Sequence, residues 1–288
     1  MHKIKSFFLL FSIIILFIFP HTAYATEEIS FDDLYKNSMK ILFRYYPSTI
    51  NYHEKWTDLH IAVDYSVEII KNKPESLEAY FIINAIGQQI TWGNDPIFKE
   101  KYLKIRDRIL NNPLEETNIA ESIIYLRCSF MMGDELMDPP TNDTVRRCVE
   151  SLEKINKYYH ESEYNALALI ALCFGANDKY HNEFINKYPK HVALPYIFLG
   201  MQFKKYLNGE YDAQIKEINN LIEKYKNIKS PEGWDYSIDC FHDLIWTYCK
   251  LNDIENAKKY LKLIEEKAPD YYFIENLRNI INATKAIE

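Results

Sequence analysis

Glycine is scarce in this chain, at 7 of 288 residues. Folds rich in tight β-turns and loops that cradle phosphate both depend on backbone that glycine alone adopts easily, so both are disfavoured. The sequence contains no Walker loop, no dinucleotide-binding glycine fingerprint, no GxSxG, no EF-hand loop and no HExxH. It contains no CxxC either, which removes the zinc-knuckle and redox-motif readings. Basic residues are outnumbered, 34 Lys and Arg against 41 Asp and Glu, for a formal charge of −7. Nucleic acids and anionic membranes attract proteins through basic patches, so neither is expected as a partner. No cofactor is expected.

A single long apolar run is present, and it lies at the start. His2-Lys3-Ile4-Lys5 precedes Phe7–Phe19, which is apolar throughout except for Ser12. Pro20 ends the run, and Ala23-Tyr24-Ala25 gives a small-x-small pattern. This is the layout of a secretory signal peptide over residues 1–25, cut after Ala25 to leave 26–288. The alternative, a retained anchor, requires roughly 20 apolar residues to span a bilayer. Cleavage removes Lys3 and Lys5 and no acid, taking the formal charge from −7 to −9. A periplasmic or secreted protein with no membrane contact after cleavage is expected.

Such a compartment permits disulfides among Cys128, Cys148, Cys173, Cys240 and Cys249, and the odd count leaves at least one thiol. Cys240 and Cys249 cannot bridge within one straight helix, because nine residues at 1.5 Å rise separate them by roughly 13 Å.

With 48% apolar residues, the chain can build a sizeable core. Pro74, Pro113, Pro189, Pro231 and Pro269 each follow an amphipathic helix-like segment, at spacings of 39, 76, 42 and 38. The gap of 76 is twice 38, so the chain carries a loose period of about 38 to 42 residues, each holding two helical patterns. The helices pair as 30–46 with 55–72, 75–91 with 94–111, 115–131 with 142–158, 161–174 with 177–187, 191–207 with 210–227, and 233–250 with 254–267. A last helix covers about 270–284. Within 75–91, Leu77, Tyr80, Phe81, Ile83 and Ala85 recur at helical spacing. Asn252-Asp253 stands where it can cap the helix at 254. Breaks fall at Tyr46-Pro47-Ser48, Gly93 to Pro96, the acidic stretch 132–141, and Lys229-Ser230-Pro231. If 115–131 and 142–158 are antiparallel neighbours, Cys128 and Cys148 lie within about one turn in register, making them the candidate disulfide.

Leu244, Tyr248, Ala257, Leu261 and Pro269 stand at the preferred spacings of one further pattern. With them, the chain resembles the tetratricopeptide repeats, helix-turn-helix units in which a small residue lets two helices approach and bulky residues fill the neighbouring groove. Ala62 and Pro74 repeat the Ala-to-Pro spacing, and Tyr196, Leu199, Gly200, Phe203 and Ala213 resemble the unit with one extra residue before the alanine. The resemblance is best over 190–269. The period exceeds the family's 34, and Ile245 stands where the family has glycine. The resemblance implies an all-α, right-handed α-solenoid of about six helix-turn-helix pairs plus a C-terminal capping helix. An irregular all-α domain is the alternative.

In such an array the first helix of each pair lines the concave face, where peptides and partner helices bind. The places that would face it are Asp239, His242, Trp246 and Cys249 in the last unit, with Phe81, Gln88, Arg127, Met201 and Lys204 in earlier ones. Asp239, His242 and Asp243 share a helix face, but further ligands for a metal are not legible. The expected role is non-catalytic binding of a protein or peptide, as scaffold or adaptor. The competing expectation is an envelope enzyme or enzyme subunit, for example one active on glycans, with an α-superhelical body. Glu75-Ser76 followed by Gly87-Gln88-Gln89 resembles a lytic transglycosylase motif, at too short a spacing.

Overall fold

A computed structural model describes residues 29–43, 58–89, 95–111, 115, 118–132, 142–174 and 178–285. The proposed signal peptide lies outside the described residues. Among them are thirteen helices and no strand, with one isolated bridge between Lys229 and Asp235. No described helix is long and apolar enough to cross a membrane.

The helices are α1 (Phe31–Phe43), α2 (Leu59–Asn72), α3 (Leu77–Gln89), α4 (Pro96–Asn111), α5 (Ile119–Met132), α6 (Asn142–Tyr158) and α7 (Asn165–Cys173). They continue as α8 (Asp178–Lys187), α9 (Leu194–Leu207), α10 (Tyr211–Lys224), α11 (Ser237–Lys250), α12 (Ile254–Lys267) and α13 (Ile274–Lys285).

Local signals set several boundaries. Asp95 accepts from the Ile97 and Phe98 amides at 2.9 and 3.0 Å, and Pro96 takes the first helical position, where a missing N–H costs nothing. Asp253 caps α12 by accepting from the Asn256 amide at 3.1 Å, after Asn252 turns the chain at φ 56°. Gly233, at φ 91°, turns the chain ahead of α11.

Helices adjacent in sequence pack as hairpins in the pairs α1/α2, α5/α6, α7/α8, α9/α10 and α11/α12. In the first half the odd helices α1, α3, α5 and α7 meet in succession, and α2, α4 and α6 form a second layer. Small residues allow the close approaches. Ala62 and Ala257 are fully buried, and Ser38 on α1 donates to the Ala62 carbonyl at 3.0 Å while lying 3.1 Å from Ser66. Tyr248 stacks on Tyr260 at 5.6 Å across α11 and α12, beside buried Leu244 and Leu261.

The 190–227 unit departs from its template. Ala213 is exposed, and the buried residue one place later is Gln214, which accepts from Thr247 on α11 at 2.9 Å. The extra residue shifts the helix register, so a polar link replaces the expected alanine contact. Phe203 is 53% exposed, and a Cβ at Gly200 would meet nothing within 4 Å, so neither serves helix packing there.

The most consequential packing is between the two ends of the chain. Tyr35 on α1 donates to Glu232 Oε1 at 2.5 Å, in the loop before α11. Phe43, at the end of α1, stacks on Tyr272 at 4.8 Å and meets Phe273 edge-on at 5.3 Å. Tyr80 and Phe81 of α3 reach Tyr196 at 5.5 and 4.9 Å, and Tyr196 meets Tyr236 at 5.1 Å. Aromatic side chains therefore join early and late helices.

Candidate functional site

The site grows from α11. Its apolar residues Ile238, Phe241, Leu244 and Ile245 are buried, with Cys240 and Cys249, and α11 packs on α10, α12 and α13. The remaining stripe at i, i+3, i+4 and i+7 is Asp239, His242, Asp243 and Trp246, each keeping some accessible surface.

These side chains are wired in one direction. An indole nitrogen can only donate, so the 3.1 Å contact from Trp246 Nε1 makes His242 Nε2 the acceptor. The His242 proton then sits on Nδ1, facing the Tyr271 hydroxyl at 3.0 Å. Tyr271 in turn donates to Asp239 Oδ1 at 3.1 Å. Burial lowers the His242 pKa to about 4, so the ring is neutral near pH 7, as this chain requires. The edge of Phe273 against the ring, at 5.0 Å, fixes its plane.

Carboxyl groups converge on the same place. Burial, with a further contribution from Glu232, raises Asp239 to about 7 despite the Tyr271 hydrogen bond. Burial and then the neighbouring Asp239 charge raise Asp243 to about 7. Burial also raises Glu232, and Glu78 adds to the effect, against a hydrogen bond from Tyr35. The turn that presents Glu232 is held by Trp234, which packs on Tyr271 and Tyr272 and donates from Nε1 to Asp270 at 3.0 Å. Among the described residues, no three His, Cys, Asp or Glu side chains are placed to hold a metal ion.

The expected groove residues separate into groups. Asp239, His242 and Trp246 belong to one connected network, and Trp246 is its most exposed member at 37%. Phe81 approaches through Tyr196, whose pKa is raised by burial and by Asp239. Met201 is half-buried on α9. Cys249 is buried.

One expectation needs correction. Arg127 is 2% exposed rather than groove-facing; its guanidinium lies 4.7 Å from the Phe174 ring, beneath Gly87. Lys204 is exposed and ion-paired with Asp178 of α8. The Gln88 side chain lies outside the described residues. Cys128 and Cys148 are buried across the α5/α6 contact, near enough for Cys148 to influence Cys128, and no disulfide joins them.

Sequence reasoning missed Glu232, Tyr196 and Tyr271 as members of the site. Glu232 sits in a loop with no periodicity, and the tyrosines read as core residues in a chain holding 23 of them. Asp243 was legible, four residues after Asp239 on the same face. Compared with known proteins, the chain matches no family model, no curated protein and no solved structure, so the site must be read from its own geometry.

Proposed function

We propose that this is a periplasmic or secreted, non-catalytic binding protein, a tetratricopeptide-like α-solenoid that holds a protein or peptide against its inner helix face. The observation that carries this reading is the α11 stripe. Its exposed Trp246 is held in one orientation by His242, which is held by Tyr271, which is anchored on Asp239. An aromatic anchor fixed before binding loses little rotamer freedom on contact, which is how interface hot spots gain affinity. The hairpin packing and the buried Ala62 and Ala257 support the repeat architecture.

The test is affinity capture by the mature chain from the envelope or extracellular fraction of its own source. Trp246→Ala should abolish capture of a specific partner, while Lys204→Ala, off the stripe, should leave it intact. Equal capture by both variants would refute the assignment of this face.

A second reading has one observation in its favour. Asp239 and Asp243, both raised to about 7, could exchange protons near neutral pH, as a glycan-active enzyme requires. Release of soluble fragments from purified cell-wall glycan by the wild-type chain, absent in Asp239→Asn, would establish it.

A further inference from the structure

Asp243 and Trp246 stand three residues apart on α11, so their side chains are neighbours on one helix face, with Cβ atoms roughly 5–6 Å apart. Trp246 is exposed, and its indole N–H is spent on His242, one turn toward the helix N-terminus. That bond lays the ring back over the turn that carries Asp243. What the ring offers a partner is therefore its π surface and not its donor. Asp243 differs from Asp239, which Tyr271 anchors and whose Oδ2 is sealed from solvent. Among the described residues, the Asp243 carboxylate accepts no hydrogen bond, and neither of its oxygens is sealed.

The charge around this pair has one sign. The charged neighbour that bears on Asp243 is Asp239, and Glu232 bears on Asp239. His242 is neutral near pH 7 and repels no cation. Lys250, the only lysine or arginine of α11, stands about two turns further along the helix. Burial and then Asp239 raise Asp243 to about 7, so above that pH it carries a charge that no neighbouring cation relieves. An accessible carboxylate beside an exposed, fixed indole matches one kind of side chain especially well. A carboxylate pairs with a fork of N–H donors, and an indole face attracts a flat cation.

We propose that Asp243 and Trp246 together receive the guanidinium of an arginine on the bound protein or peptide. The guanidinium stacks on the Trp246 ring and donates two parallel N–H bonds to the Asp243 carboxylate. A lysine ammonium would pair with the carboxylate but has no plane to lay on the indole. A basic partner segment also suits a chain of formal charge −7. The proposal deepens the inner-face binding reading and rests on it.

The probe is N-acetyl-arginine N-methylamide, titrated into the intact mature protein at pH 8 and low salt. Binding is followed by the Trp246 indole N–H resonance, assigned by its absence in Trp246→Phe, because NMR registers weak complexes. The citrulline analogue, of the same shape and uncharged, and the lysine analogue serve as comparators. The expected result is a saturable shift with the arginine probe, a weaker response to lysine and none to citrulline. Asp243→Asn, shown folded by its thermal transition, should weaken arginine binding roughly fivefold or more. No saturable shift in folded wild type, equal binding of either comparator, or indifference to Asp243→Asn would overturn the proposal. If partner capture through Trp246 persists while the arginine probe fails, the guanidinium site falls and the binding reading stands. If the probe binds and no partner is captured, the reverse holds.

Discussion

Replacing Asp239 with asparagine should make the protein more stable, and the gain should depend on pH in a defined way. The folded protein moves this carboxyl from its ordinary 3.8 to about 7, first through burial and then through Glu232. Each tenfold change in proton affinity corresponds to about 1.4 kcal/mol, so the ceiling on the penalty at pH 8 is about 4 kcal/mol. Partial solvent access reduces this, and about 1–3 kcal/mol is the working expectation. Between pH about 4 and about 7 the folded chain holds a proton that the unfolded chain has released. The wild-type contribution therefore falls as pH rises through that window and stays low above it. Asparagine has nearly the same shape, carries no charge and still offers an oxygen to Tyr271. Its advantage should be about a quarter of the full value at pH 4.5 and complete by pH 8. A chain of this size shifts its melting point by roughly 2–4 °C per kcal/mol. His242, lowered to about 4 by burial, loses stability as pH falls below about 6.5, but that slope is common to both proteins and cancels in the difference. Thermal unfolding of the two proteins from pH 4.5 to 8 provides the measurement. An asparagine variant that is no more stable at pH 8, or whose gain ignores pH, would refute the claim that Asp239 is a strained charge.

Other perturbations test separate parts of the structure. Asn165 is fully buried, donates to the Asn156 carbonyl and side chain, and accepts from Lys187 at 2.6 Å and Tyr188 at 2.5 Å. Asn165→Ala should therefore cost about 2–4 kcal/mol in urea unfolding; a loss below about 1 kcal/mol would show that water replaces the network. A Cβ on Gly87 would lie 2.4 Å from the buried Arg127 guanidinium, so Gly87→Ala should destabilise by about 1–3 kcal/mol despite alanine's better helix propensity. Restoration by Gly87→Ala with Arg127→Met would confirm the clash, and a stabilised single variant would refute it. Because Trp246 donates to His242, protonating that ring as pH falls toward 4 should break the bond and change Trp246 emission. The transition should vanish in His242→Gln, and its persistence there would assign it to another group.

The sequence by itself settled whatever depends on local order. Apolar spacing, prolines and capping residues predicted an all-helical chain, and the expected helix at 254–267 agrees with α12 because Asp253 and Ala268 bound it through neighbouring residues. The α11 stripe was legible for the same reason, since Asp239, His242 and Trp246 are related by helical period alone. Arg127 obeyed that period too, but Gly87 and Phe174, distant in sequence, enclose it. Lys204 was likewise taken up by Asp178. Glu232 joins the site only because a turn at Gly233 and the Tyr35 hydroxyl of α1, 197 residues away, hold it there. Periodicity reports which way a residue faces on its own helix. Only tertiary packing decides whether that direction leads to solvent, to an ion pair or to a buried contact.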